Sequence, residues 1–236
     1  MDSRQRHRQR QPPVAPPHGS APDSQGQRHR PVASPDGSAP AFIGLTGGIA
    51  AGKSEALAAF ARLGAATLSS DAIVHQLLDE TTVRERLVER WGDQAVTDGR
   101  VDRGRIGAIV FEHPEELAWL ESLLHPLVGG RIAEWRRTLP PETRLAVVEV
   151  PLLFEAGLGE AFDATVSVVA ADEIRARRAG ERGTQLLEGR RGRQLSQEEK
   201  AARATHVIHN DGSLADLEAE VGDLLPVLTG IAQGAA

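Results

Sequence analysis

The stretch Gly47-Gly48-Ile49-Ala50-Ala51-Gly52-Lys53-Ser54 satisfies the pattern G-x-x-x-x-G-K-[ST] at every fixed position. Successive backbone N–H groups of such a loop face a concavity and cradle an anion, and the positive N-terminal end of the following helix completes the cradle. The pattern therefore demands a strand before it and a helix after it. Ala41-Phe42-Ile43-Gly44-Leu45-Thr46 is strand-like, and Ser54 to Leu63 carries Leu57, Phe60 and Ala61 at helical spacing. The expected ligand is a nucleoside triphosphate. All eight loop residues and the adjoining Glu55 are expected to contact it, with Lys53 reaching the β- and γ-phosphates and the Ser54 hydroxyl ligating Mg²⁺.

From residue 41 onward, apolar strand-like runs alternate with amphipathic helical stretches, the pattern of a parallel α/β sheet flanked by helices. About five strands are predicted, at Phe42 to Thr46, Ala65 to Leu68, Arg144 to Val150, Ala164 to Val169 and His206 to Ile208. Helices are predicted at Ser54 to Leu63, Ala72 to Leu78, Val83 to Trp91, Pro114 to Leu139, Asp172 to Arg182 and Ser213 to Leu228. The interval between the second and third strands is too long for one crossover helix, so residues 81–142 read as a helical insertion over the substrate site, with a turn at Asp98-Gly99. The core then comprises 41–80 and 143–232. Residues 1–40 are rich in Gln, Arg, Pro, Ser and Gly and poor in large apolar side chains, and read as a disordered tail. Arg4, Arg6, Arg8 and Arg10 resemble the opening of a targeting peptide, but the prolines and the missing apolar face argue against a targeting helix.

Composition narrows the class of protein. The 236 residues, 40% of them hydrophobic, suffice for one sizeable core. A formal charge of −6 argues against a general nucleic-acid binder. No apolar run approaches the roughly 20 residues of a membrane span, and no obligate protein partner is evident. Cysteine is absent, which removes thiolate metal sites and cysteine nucleophiles and fits a cytoplasmic location.

Ligands of parallel α/β sheets bind beyond the carboxyl ends of the strands. The second strand ends in Ser69-Ser70-Asp71-Ala72-Ile73-Val74-His75, so Asp71 and Lys53 should face one crevice. Asp71 accepts the proton of an attacking hydroxyl, holds a Mg²⁺-bound water, or caps the following helix. His75, one turn on, either lines the crevice or lies on the surface. Seven arginines follow the fourth strand, interspersed with Gly180, Gly183, Gly189 and Gly192. Mobile arginines of this kind can close over transferring phosphates, or form a solvated charged face. Arg178 and Arg182, four apart on one helix face, are the strongest candidates, with Arg190 third, in a lid of about 178–200. Glu149, near the end of the third strand, is positioned to hold Mg²⁺ through water, while Pro151 to Glu155 could wall the acceptor pocket.

Taken together, these segments resemble the dephospho-CoA kinase family. The elements are Gly44-Leu45-Thr46-Gly47-Gly48-Ile49 running into Gly52-Lys53-Ser54, Asp71-Ala72-Ile73-Val74-His75, and Asp98-Gly99-Arg100-Val101-Asp102-Arg103. They continue with Leu124-His125-Pro126-Leu127, Val150-Pro151-Leu152-Leu153-Phe154-Glu155, Gln194 with Lys200, and Val207-Ile208-His209-Asn210-Asp211-Gly212. The resemblance runs from about Phe42 to Val227 and implies an α/β P-loop kinase fold. The implied reaction is transfer of the γ-phosphoryl of ATP to the ribose 3′-hydroxyl of dephospho-CoA, with Mg²⁺, completing coenzyme A synthesis. Asp71 matches the family's catalytic carboxylate and Arg178 its lid arginine. Thr46, Asp71, His75, Arg105, His125, Pro151, Leu152 and Leu153 fall in its acceptor-binding segments, and Asn210 lies in the loop near the adenine of ATP.

Two positions depart from that pattern. Ala50-Ala51 stands where the family commonly has Gly-Ser; if position 50 requires φ > 0, alanine there costs roughly 1 kcal/mol. Ser69 stands where a first acidic residue is usual. The alternatives these readings leave are a nucleoside or nucleotide kinase of similar architecture, which should not require the 98–105 and 124–127 segments, and a nucleotide-binding protein without transfer activity.

Overall fold

The structure, a computed structural model, describes residues 39–181 and 194–231. The expectations for the tail, Arg182, Arg190 and most of the lid lie outside these residues. The apolar runs form a five-stranded parallel sheet: β1 Ala41–Gly47, β2 Ala66–Ser69, β5 Leu145–Glu149, β6 Ala164–Val169 and β7 His206–His209. Its spatial order is β2-β5-β1-β6-β7. β1 is central, and its register pairs Leu45 with Glu149 on one side and Gly47 with Val168 on the other. All five carboxyl ends therefore meet at one edge of the sheet.

β1, β5 and β6 are buried along their whole length, as strands covered on both faces must be, and their near-continuous apolar runs follow from that. On one face Ile43, Leu45, Val147, Val166, Val168 and Ile208 pack against α1 Lys53–Arg62 and α8 Leu214–Ile231. α1 contributes Ala56, Ala59 and Phe60, a helical i, i+3, i+4 set. On the other face Phe42, Ala146, Val148 and Leu153 meet Ile132 and Trp135, which belong to the 24-residue helix α5 Pro114–Arg137. The Arg136 guanidinium lies 4.2 Å above the Phe42 ring, which stacks on Phe162 at 4.7 Å.

The insertion has its own apolar cluster and is more varied than the predicted helical block. It contains α3 Thr81–Trp91, a short antiparallel hairpin of β3 Val96–Thr97 and β4 Arg100–Val101, α4 Arg103–Glu112 and α5. The Asp98-Gly99 turn joins the hairpin strands with φ of 51° and 74°, as a two-residue hairpin requires. Ile73, Leu77 and Leu78 of α2 Ser70–Asp79 belong to this second cluster, together with Leu87, Ile106 and Leu124. α2 is thus shared between the sheet, through its N-terminus, and the insertion, through its buried face. The remaining described helices are α6 Asp172–Glu181 and α7 Gln197–Arg203.

Phe60 is fully buried between α1, α8 and the sheet. Replacing it by alanine is expected to lower unfolding stability by about 3–5 kcal/mol, the usual cost of a cavity that size. Urea denaturation of Phe60→Ala measures it.

Candidate active site

The loop between β1 and α1 is shaped by left-handed backbone at two places. Gly52 has φ 97°, and a side chain there would overlap the amide of Asn210. Ala50 has φ 59° and adopts the left-handed region without glycine's freedom. The condition set on position 50 is met: its φ is positive, and this chain holds alanine there under strain.

Side chains from three parts of the chain grip the loop's carbonyls. The Lys53 ammonium donates to Gly47 O at 3.2 Å and Gly48 O at 2.9 Å. Asn210, just beyond β7 and buried, donates from Nδ2 to Ala51 O at 2.9 Å. Arg178 on α6 donates to Asn210 O at 3.1 Å and reaches Ala51 O at 3.5 Å. Arg175, one turn earlier, donates from Nε to Ile49 O at 3.1 Å and pairs with Asp172. Ser54 is exposed at the start of α1, its neighbour Glu55 half-buried in the same turn.

Charged groups gather behind the loop at the strand ends. Glu149 closes β5, is 6% exposed, and sits in register beside Ser69, which donates a hydrogen bond to it. Burial pushes its carboxyl above the ordinary glutamate value, against the pull of Lys53 and with the push of Asp71. The Lys53 ammonium is lowered, first by burial and then by Lys200, with Glu149 and Asp71 opposing. Lys53, Glu149 and Asp71 thus share one field. The helix-capping position belongs to Ser69; Asp71 stands in the first turn of α2 with its side chain exposed. That removes the cap reading of Asp71.

Other anticipated residues fall in three groups. His75 is exposed on the same face of α2 as Asp71. Arg105 pairs with Asp102 at the start of α4, 3.5 Å away, and His125 is exposed on α5. Among the described residues, no hydrogen bond or ion pair joins Arg105 or His125 to the loop. Thr46, Leu153 and the Asn210 side chain are engaged within the protein. Thr46 is fully buried and donates to Pro151 O at 3.2 Å. Leu153 is fully buried over Gly44, where an added Cβ would stand 2.5 Å from its Cδ1. The Asn210 amide is committed to the loop. In contrast, Leu152 is 43% exposed. Arg175 and Lys200 were not among the anticipated site residues. Arg175 is one arginine among seven, and Lys200, one of two lysines in an arginine-rich chain, carries a signal only through its place beside Gln194 in the family resemblance.

The family model for dephospho-CoA kinase matches residues 41–216, three quarters of the chain and every element of the site. The chain belongs to the dephospho-CoA kinase family. A Thermus thermophilus dephospho-CoA kinase is 37% identical over 195 residues, covering 81% of this chain and 94% of the relative. One from Symbiobacterium thermophilum is 42% identical over 187 residues, covering 76% and 77%. Among solved structures, a Thermus thermophilus protein superposes with a TM-score of 0.69 at 36% identity, covering 80% of this chain and 98% of that one. The match spans residues 98–105 and 124–127 as well. Among the described residues, no helix is long and apolar enough to cross a membrane.

Two outcomes follow from this geometry. Ala50→Gly should raise stability by about 0.5–1 kcal/mol by removing left-handed strain, and ATP should bind at least as tightly; thermal unfolding with and without ATP checks it. Glu149 holds its proton more firmly in the folded chain than in the unfolded one. Its contribution to stability therefore falls as pH rises from the ordinary glutamate value toward the raised folded one. In metal-free protein, Glu149→Gln should gain stability relative to wild type as pH rises from 4 to 8, read from paired melting curves.

Proposed function

We propose that the chain transfers the γ-phosphoryl group of ATP to the ribose 3′-hydroxyl of dephospho-CoA, giving coenzyme A and ADP. Family membership supports the reaction, and the convergence of Lys53, Asp71 and Glu149 beside the loop supports the assignment of roles. The observation that carries it is Asp71, exposed at the carboxyl edge of the sheet and close enough to Lys53 for the two charges to interact.

In this reading the loop from Gly47 to Ser54 holds the triphosphate through backbone N–H groups, and Lys53 leaves its two carbonyl partners to follow the β- and γ-phosphates. Asp71 orients the acceptor hydroxyl and accepts its proton as the new P–O bond forms and the bond to the ADP oxygen breaks. Arg178 supplies charge to the phosphoryl oxygens as the transition state develops. Arg175 is placed by the same helix to act on the nucleotide.

Mg²⁺ fits the donors at hand. Ser54 offers a hydroxyl at the start of α1, and Glu149 is a buried carboxylate whose nearest positive charge, among the groups acting on it, is Lys53. Mg²⁺ in phosphoryl-transfer sites is held by one or two protein oxygens together with substrate phosphates and water. When bound, the ion would neutralise charge on the β- and γ-phosphate oxygens. A cytoplasmic location is the natural one for an enzyme of this substrate pair.

Asp71→Asn should leave ATP affinity within about twofold and lower kcat by about 10²-fold or more, the scale of a lost general base. Isothermal titration with ATP and steady-state kinetics on dephospho-CoA separate the two effects; unchanged kcat would remove Asp71 from the mechanism.

A further inference from the structure

The turn that follows β5 meets helix α7 in a buried ion pair that the reaction described above does not use. Lys200 has no exposed surface. Its ammonium donates to Pro151 O at 2.5 Å and lies 3.0 Å from Oε1 of Glu155. The same carboxylate oxygen accepts the backbone N–H of Leu195 at 2.9 Å. Pro151 O also accepts the Thr46 hydroxyl, so one carbonyl is fixed from β1 and from α7 together. The Glu155 side chain is 12% exposed, and its other oxygen, Oε2, is buried without a hydrogen-bond partner.

α7 is itself anchored through its first turn, just before Lys200. Ser196 and Glu199 form a reciprocal capping box. The Gln197 side chain accepts from Ala170 N at 2.9 Å and donates to Ala170 O at 3.1 Å, just past the end of β6. These bonds hold a seven-residue helix whose buried side chain is Lys200. Lys200 is also close enough for its charge to act on Lys53.

Burying a lysine is costly: desolvation lowers its ammonium's pKa, with Glu155 opposing. An apolar pair of similar volume would fill the same space without that cost. An apolar pair would not, however, fix the direction of the Pro151 carbonyl or tie it to the Leu195 amide. Pro151 to Leu153 is also held from beneath by Leu153 packed over Gly44. Leu152, between these two restraints, presents an exposed apolar side chain at the edge of the crevice.

We infer that the Lys200–Glu155 pair is a positioning device for the acceptor, locking the Pro151–Leu153 wall to Leu195 and α7 so that this wall stands at a fixed place beside the phosphate loop. The inference rests on Pro151–Leu153 being the acceptor wall of the proposed reaction. Lys200 and Glu155 act through that wall and touch neither the nucleotide nor the acceptor.

The test compares wild type, Lys200→Met and the double variant Lys200→Met with Glu155→Leu, by steady-state kinetics and thermal unfolding. The single variant strands a buried carboxylate and should melt well below wild type, and the double variant should recover most of that loss. Both should keep KM for dephospho-CoA raised by about tenfold, with KM for ATP within about twofold. A double variant with restored melting and unchanged KM for dephospho-CoA overturns the inference, because the pair would then be structural only. Equal losses toward both substrates overturn it as well. Should the variants fail to fold, hydrogen exchange on wild type decides: dephospho-CoA alone should slow exchange of the Leu195 amide, and no change overturns the inference. Absence of transfer by the unsubstituted chain is distinguishable from all of these, and defeats the proposed reaction itself.

Discussion

The phosphate loop is held open by its carbonyl groups. Asn210 and Arg178 reach Ala51 O, and Arg175 bonds Ile49 O. Because the peptide unit is planar and trans, a carbonyl tied in one direction turns the N–H of the same unit the opposite way. The amides of Ala50 and Gly52 are thereby oriented away from those tethers. None of this is possible without the sheet order: β6 and β7 flank β1 on one side, so the segments leaving them, α6 and the Asn210 turn, start beside the loop. Gly52 is part of the same constraint, since the Asn210 amide occupies the space a side chain would need.

On the other side of β1, strand order brings Glu149 and Ser69 to the same edge and sets up opposing charges. Lys53 and Glu149 are each shifted by burial and act on one another, and the charge of Asp71 acts on both, an arrangement with little to recommend it for stability and common at functional sites. In the proposed reaction the nucleotide supplies negative charge to Lys53 and the arginines, and Mg²⁺ supplies positive charge to the carboxylate side. The folded chain is in this sense built for its ligands. The buried Lys200–Glu155 pair follows a different logic, since it is complete within the protein and spends its charge on holding a backbone turn in place.

The sequence was most legible where one physical signal dominated. The predicted strand Ala164 to Val169 matches β6 Ala164–Val169, because Thr165, Val166, Val168 and Val169 give a short β-branched-rich run bounded by Asp163 and Asp172. The strand, loop and helix around Lys53 followed from the motif. α4 was missed because Gly104 and Gly107 dilute its helical propensity and Ile106 is its only buried residue. α7 was missed for a related reason: its one buried side chain is a lysine, which any pattern of apolar periodicity counts as exposed. Thr46 and Leu153 were read as acceptor contacts from their place in matching segments. The structure turns both inward, since residues adjoining a crevice in sequence alternate between lining it and supporting it. The sequence puts Asp71 at the end of a strand, but whether it caps α2 needs the backbone, which gives the cap position to Ser69.

The most direct measurement is the reaction itself. Purified protein incubated with ATP, Mg²⁺ and dephospho-CoA should convert the acceptor to a product one phosphoryl group heavier, with phosphorus NMR placing the new phosphate on the ribose 3′-oxygen and with ADP formed in equal amount. Hydrolysis of ATP without acceptor phosphorylation, or phosphate found on another hydroxyl, would contradict the account.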